Sequence, residues 1–275
     1  MKKLLLFVLL ISKISFAQDL DVMTYNIRYA TETDGVNSWE NRKESMVLFL
    51  KDKTPVIIGT QEGLNHQLTY LGEHLKRYAF TGDARDDGKT KGEYSAIFYD
   101  TTRVKLIETH TVWLCESTDK DTIGWDAAMK RVCTYALFAD IENANEFWVF
   151  NAHFDHVGVK ARAESAKLVS KLNLTENQPP RPVVVMGDFN SEPDSEAIQN
   201  FKIMFSDALD LAEEKQEEPL GTFTGFNPKA KLDKRIDWIF VQGFNVQSYR
   251  HFTDKRADGN FISDHLPVMA KLRFK

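Results

Sequence analysis

The segment from Pro182 to Asp194, PVVVMGDFNSEPD, places the strongest constraint on how this chain can fold. Val183 to Met186 form an unbroken apolar run rich in β-branched residues, which predicts a strand that is buried on both faces. Gly187 permits a tight turn, and Asp188 and Asn190 follow at alternate positions. In an extended segment alternate side chains share one face, so both would point into the space at the end of a sheet.

Two interpretations of this segment stay open at the level of the residues alone. Carboxylate oxygens and an amide at the end of a strand suit a divalent cation together with an anionic substrate. The alternative is an acidic strand-to-helix turn with a local Asx cap, which is a common structure. The run Asp194, Ser195 and Glu196 is typical of a capped helix start, so a helix should follow in either case.

The composition limits the class of protein but does not identify a binding partner. The chain has 275 residues, of which 43 % are hydrophobic and 27 % are charged, so it can bury a substantial core. The net charge of −5 gives no sign of a basic surface, so a polyanion would have to bind through a local site or a metal. Many short strands with helices between them, some joined by hairpins and without a repeat, predict one mixed α/β domain over residues 18–275.

The first seventeen residues have the features of a secretory signal peptide. Two lysines precede a short apolar run, and Ser15-Phe16-Ala17 forms a small-x-small cleavage pattern. The run is too short to span a bilayer and Lys13 interrupts it, which argues against an anchor. We expect cleavage near Ala17, a periplasmic or secreted mature chain, and no transmembrane segment elsewhere.

The chain has two cysteines, Cys115 and Cys133, and the sequence leaves their state open. In an oxidising compartment they could form one disulfide. Equally, they could be two small hydrophobic residues in neighbouring strands. No basic residue or histidine is adjacent to either one in the sequence, so neither is marked as a nucleophile.

Polar residues recur at one kind of place, at or near the ends of the predicted strands. Taken singly, Glu62 is typical of a helix start and His153 of a structural histidine. Taken together, the eight predict a site along one edge of a sheet. They are Asn26, Glu62, His153, Asp188, Asn190, Asp237, Asp264 and His265.

Asp237 lies between apolar neighbours in RIDWIFV, and a buried carboxylate needs a partner. A histidine is the simplest partner, and His265 in SDHLPV is the candidate. Such a pair would orient His265 and raise its basicity, as in general acid–base sites.

The chemistry that uses such a set is metal-assisted attack of water on phosphorus. Mg²⁺ prefers carboxylates and water, neutralises phosphate charge and stabilises the leaving oxygen. A base near the water, together with amides and a histidine or arginine on the other phosphate oxygens, would complete the site. Zinc is disfavoured because the H-x-x-x-H and C-x-x-C spacings do not occur.

The ordered set MTYNIRY, GTQE, NAHFDH, GDFNSEPD, RIDWIFV and SDHLPV resembles the endonuclease/exonuclease/phosphatase superfamily, whose members include deoxyribonuclease I. The resemblance covers Asp21 to Lys275, and the segment NIRYATETDGVNSWENRK is similar to small secreted bacterial members. It implies a deoxyribonuclease I-like α/β fold, a four-layer sandwich. Two mainly antiparallel β-sheets would face each other with helices outside and one site at the sheet ends.

The resemblance also implies roles on the metal side of the site. Glu62 resembles the principal metal ligand, with Asn26 beside it and Asp264 as a companion carboxylate. Asp188 resembles the residue that orients or deprotonates the attacking water, and His265 resembles the catalytic histidine. The implied cofactor is Mg²⁺, with Mn²⁺ as an alternative.

On the phosphate side, Asn190 resembles a residue that contacts the phosphate. His153 matches the phosphate-binding histidine of deoxyribonuclease I and the sphingomyelinases. Glu93 fits the residue that supports that histidine, and Arg131 fits an arginine that contacts the phosphate.

These observations predict a secreted, monomeric Mg²⁺-dependent phosphohydrolase that acts on a phosphate ester. The match at His153 favours a phosphodiester, in nucleic acid or in phospholipid. The alternatives are a phosphomonoesterase for sugar or inositol phosphates and a catalytically silent binding protein. A silent protein should lack an essential side chain, and none is missing.

Overall fold

The computed structural model describes residues 19–117 and 122–275. The predicted signal peptide lies outside the described residues. Within them, none of the helices has the length and apolar character that a membrane span needs.

Thirteen strands form in the described part of the chain, several of them where the sequence shows an apolar run. In chain order they are β1 (Leu20–Asn26), β2 (Ile57–Gln61), β3 (Tyr78–Thr81), β4 (Ile97–Asp100), β5 (Val104–Trp113), β6 (Val132–Asp140), β7 (Glu146–His153), β8 (Val183–Asp188), β9 (Ser206–Asp207), β10 (Glu214–Lys215), β11 (Asp237–Gln242), β12 (Phe244–His251) and β13 (Val268–Phe274). The helices are a 3₁₀ helix (Glu32–Asn37), α1 (Trp39–Lys53), α2 (Asn65–His74), α3 (Val159–Glu176), α4 (Glu196–Lys202) and α5 (Ala208–Leu211).

The strands build two mixed sheets in which most neighbours are antiparallel. The first sheet has the order β10-β12-β13-β1-β2-β4-β3, and the second has the order β5-β6-β7-β8-β11-β9. Parallel pairs occur at β1–β2 and β10–β12 in the first sheet and at β7–β8 in the second. The predicted four-layer sandwich is confirmed.

Three apolar clusters separate the four layers. The central one fills the space between the sheets, where Val184 and Met186 of β8 lie with residues of β1, β2 and β13. Val183 and Val185 belong instead to the outer cluster beneath α3 and α4. The third cluster packs α1 and α2 on the first sheet. The unbroken apolar run of β8 therefore reflects burial on both faces, as predicted.

One buried amide joins the two sheets directly below their polar ends. Nδ2 of Asn151, on β7, donates to the carbonyl oxygens of Thr60 and Ala96, both at 2.9 Å. Its Oδ1 accepts from Nε2 of Gln61, on β2, at 2.7 Å. Because the amide of Asn151 is buried and both of its polar atoms are paired, it fixes how the ends of β2 and β7 face each other.

Both cysteines are present as buried thiols. Sγ of Cys115 lies 3.9 Å from Oγ of Ser117, and Sγ of Cys133 lies 3.8 Å from the carbonyl oxygen of Thr134. Burial raises the pKa of the Cys133 thiol, which keeps it protonated. Of the two alternatives, the structure has the hydrophobic one.

Candidate active site

The polar strand ends meet at a single cleft. β1 and β2 are parallel and end side by side at Asn26 and Gln61, and β7 and β8 end side by side at His153 and Asp188. β11 runs the opposite way and begins at Asp237, opposite Asp188. The cleft at this edge has a volume of about 730 Å³. Eight of the ten predicted site residues line it: Glu62, Glu93, Arg131, His153, Asp188, Asn190, Asp264 and His265.

The turn after β8 presents Asp188 and Asn190 to the cleft in a way that differs from strand alternation. Asn190 has a φ of 45°, and its backbone N–H donates to Oδ1 of Asp188 at 2.9 Å. This is an Asx turn, in which Oδ1 of Asp188 holds the turn and Oδ2 faces the site. Gly187, with a φ of 151°, allows close approach, since a Cβ there would lie 1.9 Å from the carbonyl oxygen of Ala152.

The carboxylate of Asp237 holds the ring of His265. Oδ2 of Asp237 lies 2.9 Å from Nδ1 of His265, which is the predicted pairing. Oγ1 of Thr222 accepts from the Asp237 backbone N–H at 3.1 Å. Burial alone would lower the pKa of His265, but the carboxylates of Asp237 and Asp188 outweigh it and raise that pKa well above its ordinary value. The ring is therefore an oriented imidazolium whose Nε2 lies 3.7 Å from Oδ2 of Asp188.

Asn26 links the carboxylates of Glu62, which follows β2, and Asp188, which ends β8 in the other sheet. Its Nδ2 donates to Oε1 of Glu62 and to Oδ2 of Asp188, both at 2.9 Å. Its Oδ1 accepts from the backbone N–H of Arg28 at 3.0 Å. In this arrangement Asn26 holds the carboxylate of Glu62 in place, and its role as a metal ligand stays a prediction.

A cation would fit at the carboxylates of Glu62 and Asp188, beside the ring of His265. One ligand atom from each lies within 4.8 Å of the others. Burial is the main cause that raises the pKa of Asp188 to about 7; His265 lowers this pKa and the carboxylate of Asp237 raises it. A divalent cation would relieve this cost, and the carboxylate oxygens are donors that Mg²⁺ and Mn²⁺ accept.

Asp264 was expected to be a companion metal ligand, but it is not a member of that group. Its Oδ2 lies 3.9 Å from Nε of Arg28, and its Oδ1 lies 3.4 Å from Oγ of Ser263. Nη1 of Arg28 also lies 3.7 Å from Oε2 of Glu62, so this guanidinium contacts both carboxylates. The role of Asp264 as a companion metal ligand stays a prediction.

Two hydrogen-bond donors face each other beside Asp188. Nη1 of Arg131 lies 3.0 Å from Nδ1 of His153, and a guanidinium can only donate, so Nδ1 accepts and Nε2 carries the proton. Burial, followed by the charge of Arg131, lowers the pKa of His153 well below its ordinary value, which keeps the ring neutral. Nδ2 of Asn190 donates to the carbonyl oxygen of Phe154 at 3.0 Å and lies 3.2 Å from Nε2 of His153. One external oxygen could accept from both donors.

Arg131 and Glu93 have partners that differ from the expected ones. Arg131 is buried, and its Nη1, Nη2 and Nε contact His153, His156 and Asp155. It therefore supports two histidines from behind, where direct contact with a phosphate was expected. Oε2 of Glu93 accepts from Nη1 of Arg85 at 2.9 Å and lies 3.9 Å from Nδ1 of His153, so the support expected from Glu93 comes from Arg131.

Eleven further residues line the cleft, and sequence reasoning gave no role there to five whose side chains are charged or aromatic or carry an imidazole. They are Arg28, His156, Arg162, Phe223 and Lys234. The ring of Phe223 lies edge-on to that of His265, with 5.1 Å between centroids. The spacing of the two histidines in NAHFDH was the one available signal for His156. The other four lie in loops or on a helix, where no local pattern marks them.

The family is shown by comparison with known proteins. Residues 23–265 match the model of the endonuclease/exonuclease/phosphatase family. The chain belongs to this family, whose members hydrolyse phosphate esters and generally depend on a divalent metal.

Similar proteins occur in bacteria and in a virus. A family protein of Bacteroides thetaiotaomicron is 35 % identical, with a TM-score of 0.90 over 94 % of this chain and 96 % of that one. A mannosyl-6-phosphatase of Bacteroides thetaiotaomicron is also 35 % identical, with a TM-score of 0.88 over 93 % of this chain and 100 % of that one. The uncharacterized protein L388 of Acanthamoeba polyphaga mimivirus is 25 % identical, over 88 % of this chain and 94 % of that protein.

Proposed function

We propose that this protein is a metal-dependent phosphatase that hydrolyses the phosphate monoester of a sugar. The observation that carries the proposal is the facing pair of donors, Nε2 of His153 and Nδ2 of Asn190, 3.2 Å apart. One oxygen that accepts from both donors would bind between them, and Oδ2 of Asp188 lies 3.5 Å from Nε2 of His153. A phosphate oxygen supplies the acceptor, and its phosphorus then lies beside a base.

The cleft carries both signs of charge, because Arg28, Arg131, Arg162 and Lys234 line it together with five carboxylates. What favours a monoester over the diester that the sequence suggested is a similar protein. The mannosyl-6-phosphatase that shares 35 % identity with this chain supports a sugar as the leaving group.

Glu62 would hold the metal ion, with an oxygen of Asp188 across the same group of ligand atoms. A Mg²⁺ ion bound there supplies neutralisation of the phosphate charge and of the leaving oxygen. Asn26 fixes the rotamer of Glu62 through its 2.9 Å hydrogen bond.

Side chains of the protein have the remaining roles in the reaction. Oδ2 of Asp188 accepts the proton of the attacking water, for which a pKa of about 7 is well suited. The imidazolium of His265, held by Asp237, stabilises negative charge that builds up on the phosphate. His153 and Asn190 donate to one phosphate oxygen and fix the orientation of the group.

The test compares p-nitrophenyl phosphate, bis-p-nitrophenyl phosphate and mannose 6-phosphate, each with Mg²⁺ and with EDTA. We expect Mg²⁺-dependent release of phosphate from both monoesters, with the diester at least tenfold slower. A preference for the diester would favour the alternative, a phosphodiesterase. If no ester is cleaved and Mg²⁺ does not raise the melting temperature, a silent binding protein is the better account.

We also propose that the enzyme acts outside the cytoplasm. The first seventeen residues, with two lysines, a short apolar run and Ser15-Phe16-Ala17, support export and cleavage. Expression of the full chain in a bacterium, followed by N-terminal sequencing of the periplasmic and medium fractions, tests this. We expect the mature chain to begin at Gln18; a chain that begins at Met1 and stays in the cytoplasm would contradict it.

A further inference from the structure

We propose that His156 is a specificity-determining residue that donates a hydrogen bond from Nε2 to the sugar leaving group of the substrate. The inference rests on the proposed phosphatase function and deepens it. It assigns a role to a residue outside the group that surrounds the reacting phosphorus.

One guanidinium fixes the orientation of two histidine rings. Nη1 of Arg131 lies 3.0 Å from Nδ1 of His153, and Nη2 lies 3.0 Å from Nδ1 of His156. Since a guanidinium nitrogen cannot accept, each Nδ1 is the acceptor. With Nδ1 occupied as an acceptor, Nε2 is the donor of each ring, and it points away from Arg131. His156 thus offers a donor whose direction is set by the protein.

The loop that carries His156 is held firmly. Asp155 is buried and its Oδ2 accepts the backbone N–H groups of Ala128, Val157 and Gly158 at 3.1, 3.0 and 2.8 Å. Its Oδ1 lies 3.4 Å from Nε of Arg131. A loop fixed by this many hydrogen bonds presents His156 in one place, which is what a residue that selects substrates needs.

His156 lies further out than the phosphate site. Its side chain is 49 % exposed and that of His153 is 8 % exposed, yet both line the same cleft. A cleft of about 730 Å³ is far larger than a phosphate group, so it also holds what the phosphate is attached to. The outer histidine therefore meets the leaving group, and Arg162, whose Nη1 donates to the carbonyl oxygen of Asp155 at 3.0 Å, lies beside it.

The substitution His156→Asn removes the Nε2 donor and keeps an acceptor for Arg131. Oδ1 of asparagine occupies about the position of Nδ1 and can accept from Arg131, whereas nothing replaces Nε2. We expect the ratio of kcat/KM for mannose 6-phosphate to kcat/KM for p-nitrophenyl phosphate to fall about tenfold, because one hydrogen bond to a substrate hydroxyl is lost. His66→Asn, an exposed histidine at the start of α2, is the matched control and should leave the ratio unchanged.

An equal change in kcat/KM for both substrates leaves the ratio unchanged and would overturn the inference. A second measurement does not depend on turnover. Diethyl pyrocarbonate modifies histidines in the Asp237→Asn variant in the presence of Mg²⁺, and mass spectrometry identifies the modified residues. We expect mannose 6-phosphate to protect His156 and inorganic phosphate at the same concentration not to protect it, with His66 modified throughout. Equal protection by both ligands, or protection by neither, would contradict the role. An inactive wild-type enzyme in which mannose 6-phosphate still protects His156 would count against the proposed reaction and not against this contact.

Discussion

Nε2 of His153 and Nδ2 of Asn190 lie 3.2 Å apart, and each is a hydrogen-bond donor. Arg131 determines the first donor by occupying Nδ1 of the ring, and the carbonyl oxygen of Phe154 determines the second by fixing the amide. Two donors held against each other by the surrounding protein form a site for an oxygen anion. The pair is therefore built for a ligand and does not stabilise the fold by itself.

Asn190→Asp should remove one donor and place a negative charge where the phosphate oxygen binds. We expect kcat/KM for p-nitrophenyl phosphate to fall by about 10²–10³, the effect of losing one such donor. Competitive inhibition by inorganic phosphate should weaken in parallel. Asn245→Asp, on an exposed part of β12, makes the same change of charge and should leave both values near the wild type. If both substitutions lower kcat/KM equally, the effect comes from the net charge of the protein and not from a donor at residue 190.

Asp237→Asn should remove the carboxylate that orients His265 through a 2.9 Å hydrogen bond. The amide has the same shape but cannot favour the imidazolium, so kcat should fall by about 10²–10⁴. Steady-state kinetics with saturating Mg²⁺ measure the change, and Asp233→Asn on the exposed loop before β11 serves as the control. A higher KM with an unchanged kcat would show that the pair binds substrate and does not stabilise the transition state.

Gly187→Ala should destabilise the protein through the close approach of β8 to β7. A Cβ at this position, where φ is 151°, would lie 1.9 Å from the carbonyl oxygen of Ala152. We expect a loss of about 2–5 kcal/mol in the free energy of unfolding, measured with urea. Gly35 has a φ of 54° with open space around it, so Gly35→Ala measures the conformational cost alone, about 1–2 kcal/mol. Equal losses would show that β8 relaxes around the added methyl group.

The stability of the protein should fall as pH falls from 6.5 to 4, in part because of His251. Burial, followed by the charge of Arg235, lowers the pKa of His251 from 6.5 to about 4. In this window the unfolded chain binds a proton that the folded chain does not, so acid favours unfolding. His251→Asn should flatten the decline by about 3 kcal/mol in urea unfolding at pH 7 and pH 4. An unchanged slope, equal to that of His66→Asn, would show that His251 gains its proton without unfolding.

The positions of the site residues could be predicted because they are tied to the strands. Apolar runs end where the backbone meets solvent at the sheet edge, so Asn26, His153 and Asp188 could be placed together from the sequence. The pairing of Asp237 with His265 could be predicted for a related reason: a buried carboxylate needs a partner.

The choice of partners within the site could not be predicted in the same way. Whether Glu93 or Arg131 contacts Nδ1 of His153 depends on differences of about 1 Å between side chains from separate strands. Asp264 pairs with Arg28, a residue with a φ of 57° in the loop after β1, and no sequence pattern indicates where that guanidinium points. The Asx turn at Asp188 was one of two open interpretations, and the structure contains it.

The most direct test of the account is hydrolysis of mannose 6-phosphate in water enriched in oxygen-18, with Mg²⁺ present, followed by mass spectrometry of both products. Attack of water on phosphorus, with Asp188 as the base, predicts one oxygen-18 atom in the inorganic phosphate and none on C6 of the sugar, whose anomeric oxygen exchanges with water and is left out of the comparison. Oxygen-18 on C6, or phosphate release that continues unchanged in Asn190→Asp, would contradict it.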